Sequence, residues 1–186
     1  MTDSESMPAK TANPAPLGLL GFGMTTILLS LHNAGITELD DVTLAMGVFC
    51  GGLAQLLAGI MEYRNGNTFG TVAFTMYGMF WLAFVAIKLD VFGMGHNLTN
   101  MGSFCLIWGL MTLVLFIGTL KGRVALRIVF ATLTITFLLL SVADFMGNGT
   151  ITNIAGFVGI LCGAAAFYTA SAEILLEQHG RDILPF

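Results

Sequence analysis

The chain has 186 residues, of which 56% are Ala, Val, Ile, Leu, Met, Phe, Trp, Tyr or Cys and only 10% are Asp, Glu, Lys or Arg, with a formal net charge of −4. Mean hydropathy is +0.86. Soluble globular domains carry about 45–50% apolar and about 25% charged residues, so a water-soluble enzyme is excluded and no nucleic-acid partner is expected.

The seven basic and eleven acidic residues fall in clumps, leaving uncharged stretches at 11–37, 42–61, 65–87, 91–120, 128–143 and 145–172. A helix needs roughly 20 apolar residues to cross the hydrocarbon, and five stretches meet that directly. In the short fifth one, Arg123 and Arg127 can snorkel to the headgroups while Val124, Ala125 and Leu126 extend the apolar helix. The chain is thus expected to be an all-α membrane protein with six transmembrane helices. A β-barrel would need period-two alternation, which runs such as Leu110 to Ile117 lack.

Residues 1–12 form a polar tail that mixes Lys10 with Asp3 and Glu5, unlike the basic start of a secretory signal, so the first span is expected to stay in the mature protein. That span opens on Asn13-Pro-Ala-Pro-Leu-Gly-Leu19. Two prolines so close cannot both sit inside a regular helix, but Asn13 as N-cap, Pro14 at the first helical position and Pro16 in the first turn satisfy the backbone. A helix N-terminus also offers unpaired N–H groups that suit a carboxylate. Further along, Thr25 and Thr26 either bond their own helix carbonyls or face a path. His32 and Asn33 cap the far end of the span.

In the second span, Gln55 lies among Leu and Ala, where its amide can bond a carboxylate oxygen or tie two helices together. Glu62 and Arg64 bound that span. In the third, Tyr77 stands beside Gly78. Glu173 and Glu177, one turn apart, are expected at the solvated end of the sixth span, giving a transmembrane domain over 13–178 and a C-terminal tail over 179–186. The connections at 34–41, 62–67, 88–99, 120–123 and 144–150 are too short for a catalytic module. No HExxH, paired intramembrane Asp or GxSxG motif is present, so no enzyme and no cofactor or metal is expected.

Loops counted alternately put Lys10, Arg64, Lys121, Arg123, Arg127 and Arg181 on one side and Lys88 on the other, so both termini are expected in the cytoplasm. Of the 23 glycines, many lie inside spans, such as Gly21, Gly23, Gly51, Gly52, Gly159 and Gly163, where small residues let helices approach closely. Cys50, Cys105 and Cys162 lack metal-ligand or redox spacing and read as small core residues. At an offset of 86 residues, Asn67-Thr-Phe-Gly70 faces Asn153-Ile-Ala-Gly156, and Gly23 and Thr26 face Gly109 and Thr112, hinting at a 3+3 inverted repeat.

The stretch Asn13 to Leu19, followed by Gly21-Phe-Gly-Met24, Gly66-Asn-Thr-Phe-Gly70, Phe74-Thr-Met-Tyr-Gly78 and Cys162-Gly-Ala-Ala-Ala166, resembles the acetate uptake transporter family, most closely the prokaryotic succinate–acetate permeases. One departure is Met76, where members tend to carry Ser or Thr. The resemblance implies a homohexamer in the cell inner membrane, each six-helix protomer carrying its own path for acetate, succinate and related carboxylates. Members act as proton-coupled symporters or as anion channels. The resemblance also implies a hydrophobic constriction at Phe22, Tyr77 and Leu133; Asn13, Thr25, Thr26, Gln55 and Ala166 are expected as the polar and small lining of the path.

No Arg or Lys lies mid-span, so a carboxylate is expected to be carried by N–H, hydroxyl and amide donors past a dry constriction. The residues alone also fit a channel for small neutral solutes such as urea or water. No buried carboxylate identifies a proton carrier, which leaves channel and symporter unseparated.

Overall fold

The computed structural model describes residues 11–185. Among them it is entirely helical, with six membrane-length helices: α1 (Ala15–Asn33), α2 (Asp41–Arg64), α3 (Thr68–Lys88), α4 (Leu98–Thr119), α5 (Val124–Met146) and α6 (Gly149–His179). The six expected spans are all present, and the fifth begins at Val124, where the apolar extension places it. The polar tail at 1–12 is described only from Thr11 onward, so Lys10, counted in the charge asymmetry, lies outside the described residues.

Asparagine and aspartate set most of the starts. Asp40 accepts from the Val42 and Thr43 amides ahead of α2, Asn67 from Gly70 ahead of α3, Asn97 from Asn100 ahead of α4 and Asn148 from Thr150 ahead of α6. Left-handed Gly147, at φ 59°, ends α5. α2 is not uniform. Its middle, Gly47–Ala54, is π-helical between the α-helical pieces Asp41–Met46 and Gln55–Arg64. α6 has 31 residues; at 1.5 Å each it is about 46 Å long, so its last turns rise beyond a hydrocarbon core of about 30 Å.

Lipid removes the hydrophobic drive between helices, and backbone approach at small residues takes its place. α1 lies along α6, where a Cβ on Gly23 would stand 2.9 Å from the Gly163 carbonyl oxygen and one on Gly163 2.8 Å from that of Gly23. In α2, a Cβ on Gly51 would meet the Trp81 ring of α3 at 2.6 Å. α3 and α4 meet mainly through rings: Phe80 lies 5.5 Å from Phe104 and 5.2 Å from Trp108, centroid to centroid. This aromatic layer sets α4 behind the other helices, and a cavity opens among α1, α2, α3, α5 and α6. The outward faces are apolar, with Phe49, Ile107, Val114 and Phe157 all exposed.

The repeat hint receives no support from its matched asparagines. Asn67 is the N-cap of α3, whereas Asn153 sits inside α6 with its amide directed at the Asn33 carbonyl.

Candidate functional site

A cavity of about 370 Å³ runs into the bundle from the end where α1, α3 and α5 begin. Its mouth carries Asn13, Glu62, Asn67, Arg123 and Glu173; its depth is walled by Leu19, Phe22, Phe74, Tyr77, Phe130 and Leu133, with Gln55 and Thr169 as polar groups. Outside the mouth lies a vestibule of about 580 Å³ that shares Asn13, Arg123 and Glu173 with the cavity. These three residues therefore form a collar between the two spaces.

The collar is tied together by side chains. Asn13 Nδ2 donates to Glu173 Oε2 at 3.1 Å, and Arg123 Nη1 lies 3.9 Å from Glu173 Oε1. The Asn13 Oδ1 accepts from the Ala15 amide at 3.1 Å. The helix thus starts one residue later than expected, with Pro14 in the capping position and Asn13 closing an Asx turn before it. A second pair stands opposite: Asn67 Nδ2 donates to Glu62 Oε2 at 2.8 Å while its Oδ1 caps α3. Gly70 makes room for that carboxyl, since a Cβ there would lie 2.7 Å from Glu62 Cδ.

At depth, the Phe22 and Tyr77 rings lie 5.7 Å apart and Tyr77 lies 6.2 Å from Phe130, centroid to centroid. Thr112 donates its hydroxyl to the Trp108 carbonyl at 2.7 Å, which leaves its oxygen to accept from the Tyr77 hydroxyl at 2.8 Å. Tyr77, which lines the cavity, is thereby anchored to α4 through its hydroxyl.

Of the residues expected from sequence, Asn13, Phe22, Gln55, Tyr77 and Leu133 share this one wall. Thr25, Thr26 and Ala166 are buried but stand off it. Thr25 Oγ1 bonds the Gly21 and Phe22 carbonyls of its own helix, at 2.7 and 3.1 Å. Ala166 is fully buried in the helix-packing core. Met76, the departure from the family pattern, is 40% exposed on the outer face and does not line the cavity.

Glu62, Arg123 and Glu173, read from sequence as bounding or solvated residues, instead line the cavity. Helical spacing held the signal. Glu62 follows Gln55 by two turns and Glu173 follows Thr169 by one, so each shares a face with a polar residue of the wall. His32 Nδ1 donates to the Thr37 carbonyl at 3.2 Å, tying the end of α1 to the segment that follows it.

Six membrane-length helices around a polar-mouthed cavity with an aromatic end define a multi-pass membrane protein built for passage of a small solute. The sequence model of the GPR1/FUN34/yaaH family matches residues 3–181, and the chain belongs to that family. It is 53% identical, over 95% of each chain, to the succinate-acetate/proton symporter SatP of Escherichia coli strain K12. The solved structure of the bacterial acetate channel SatP superposes with a TM-score of 0.93 at 52% identity, covering 95% of this chain and 99% of that one. The ammonia transport outward protein 2 of Saccharomyces cerevisiae is 41% identical over 91% of this chain and 64% of its own length.

Proposed function

We propose that this protein is an inner-membrane permease for acetate and related short carboxylates such as succinate, coupled to protons. The observation that carries the reading is the ordered wall of the cavity, from a polar collar at Asn13, Arg123 and Glu173 to an apolar end at Phe22, Tyr77 and Leu133, in a chain 53% identical to a succinate-acetate/proton symporter. The collar draws a carboxylate through a guanidinium and amide N–H groups. The apolar end admits it only when stripped of water, which favours one small carboxyl group over a longer dicarboxylate. Phe22, Tyr77 and Leu133 form the constriction in this reading.

The cavity opens toward the side that carries Arg64, Lys121, Arg123 and Arg127, so both termini and the vestibule face the cytoplasm by the positive-inside asymmetry. Assembly as a homohexamer, each protomer keeping its own path, is what the resemblance to the acetate uptake transporters implies, and the exposed apolar outer faces leave surface for it. A second reading, a path for small neutral solutes, draws on the yeast relative named for ammonia transport.

Reconstitution in liposomes decides between the two. Labelled acetate uptake above that of empty liposomes, reduced by excess succinate and accelerated by an alkaline interior, supports the carboxylate reading. Urea or ammonia flux with no acetate uptake contradicts it.

A further inference from the structure

The outer face of α6 carries an exposed apolar stripe at helical spacing, Ile154, Phe157, Leu161 and Ala164, which ends at Tyr168. From Gly149, where α6 begins, to Tyr168 the helix covers roughly 30 Å, the thickness of the hydrocarbon core. A second marker agrees. The Glu173 carboxylate is level with Asn13 and Arg123, at the starts of α1 and α5, and Tyr168 stands about 7 Å from Glu173 on the bilayer side. Tyr168 thus lies where the acyl chains give way to headgroups, a depth that tyrosine favours.

The chain does not leave for solvent at the end of α6. Left-handed Gly180, at φ 65°, ends the helix, and the Pro185 carbonyl accepts from the Tyr168 hydroxyl at 2.7 Å. Residues 181–185 therefore turn back beside the last turns of α6, toward the bilayer.

The order of residues suits that course. Arg181 and Asp182, next to the turn, are exposed, and the apolar Ile183, Leu184 and Pro185 follow, with Ile183 41% exposed. Proline has no N–H, so Pro185 brings one backbone polar group to the interface, and the Tyr168 hydroxyl satisfies it. The basic Arg181 complements the phosphates of an anionic leaflet.

We propose that Ile183, Leu184 and Pro185 form an interfacial anchor pinned by Tyr168, and that its partner is the lipid headgroup layer. The anchor continues the apolar stripe of α6 and braces the turns that carry Glu173 into the collar. It holds whatever solute the cavity passes.

The test is a nitroxide on Ile183→Cys, in the intact chain reconstituted in phosphatidylcholine–phosphatidylglycerol vesicles. It is read for collision with oxygen, which concentrates in lipid, and with a nickel chelate, which stays in water. Unsubstituted protein treated alike gives the background from Cys50, Cys105 and Cys162. Gln178→Cys, at an exposed position near the end of α6, gives the water reference. The oxygen-to-nickel ratio for Ile183→Cys is expected to stand several-fold above that reference. Adding Tyr168→Phe, which removes only the hydroxyl, is expected to bring it down by a few-fold as the docked population falls. A ratio equal to the reference overturns the proposal. So does protection from both reagents, the mark of a contact with a second copy of the chain, and so does a high ratio that Tyr168→Phe leaves unmoved.

Discussion

Asn13 and Glu173, 160 positions apart in the chain, are joined by a 3.1 Å hydrogen bond across the mouth of the cavity. The bond ties the start of α1 to α6, and its acceptor also lies 3.9 Å from Arg123 at the start of α5. One asparagine thus serves helix initiation and the shape of the mouth together.

Asn13→Ala removes both the bond to Glu173 and the Asx turn to Ala15. A cap and a charge-assisted hydrogen bond are each worth about 1–2 kcal/mol, reduced by solvent at this partly exposed site. The variant is expected to unfold about 1 kcal/mol more easily in detergent and to lose more acetate flux than membrane expression. Equal flux per molecule would return Asn13 to a purely structural part.

The spans were readable because membrane helices exclude charge, so eighteen charged side chains in clumps mark the boundaries directly. Phe22, Tyr77 and Leu133 were placed through the family resemblance, and the folded chain brings them to one wall. What escaped depends on distant packing. Nothing local to Glu173 shows that α6 lies against α1 and brings it to Asn13, and nothing local to Glu62 shows that Asn67 turns back to hold it. The π-helical middle of α2, where Gly51 packs on the Trp81 ring of α3, has no marker in the α2 sequence.

Leu133→Ala is expected to raise succinate uptake relative to acetate, since loss of bulk beside Phe22 and Tyr77 admits water and lowers the desolvation cost of a second carboxylate. A filled core site would cost about 2–5 kcal/mol, and a residue bordering a cavity belongs at the low end. Dual-label uptake with a thermal unfolding curve checks both. A large destabilisation with both fluxes falling together would assign Leu133 to packing.

Gly23→Val is expected to abolish the α1–α6 seam. Its Cβ would fall 2.9 Å from the Gly163 carbonyl oxygen, an atom of a helix backbone that cannot move aside cheaply. Loss of the monodisperse peak on size-exclusion chromatography is the expected reading, and a normal peak with normal flux would show that the seam tolerates a wider spacing.

Asp40→Cys is expected to react with an impermeant thiol reagent from outside intact cells, because residues 34–40 connect α1 to α2 at the end opposite the cavity mouth. Reaction only after the cytoplasmic face is opened would invert the orientation.

Filling the cavity tests most directly whether it is the route of transport. Ala73 is 3% exposed on its wall, so Ala73→Trp places an indole across the path between the collar and the aromatic end. In liposomes holding equal amounts of correctly assembled protein, acetate uptake by this variant is expected to fall by at least about tenfold, as for a plugged pore. Uptake at the wild-type rate by a folded Ala73→Trp protein would contradict the account, because the substrate would then be crossing by some other route.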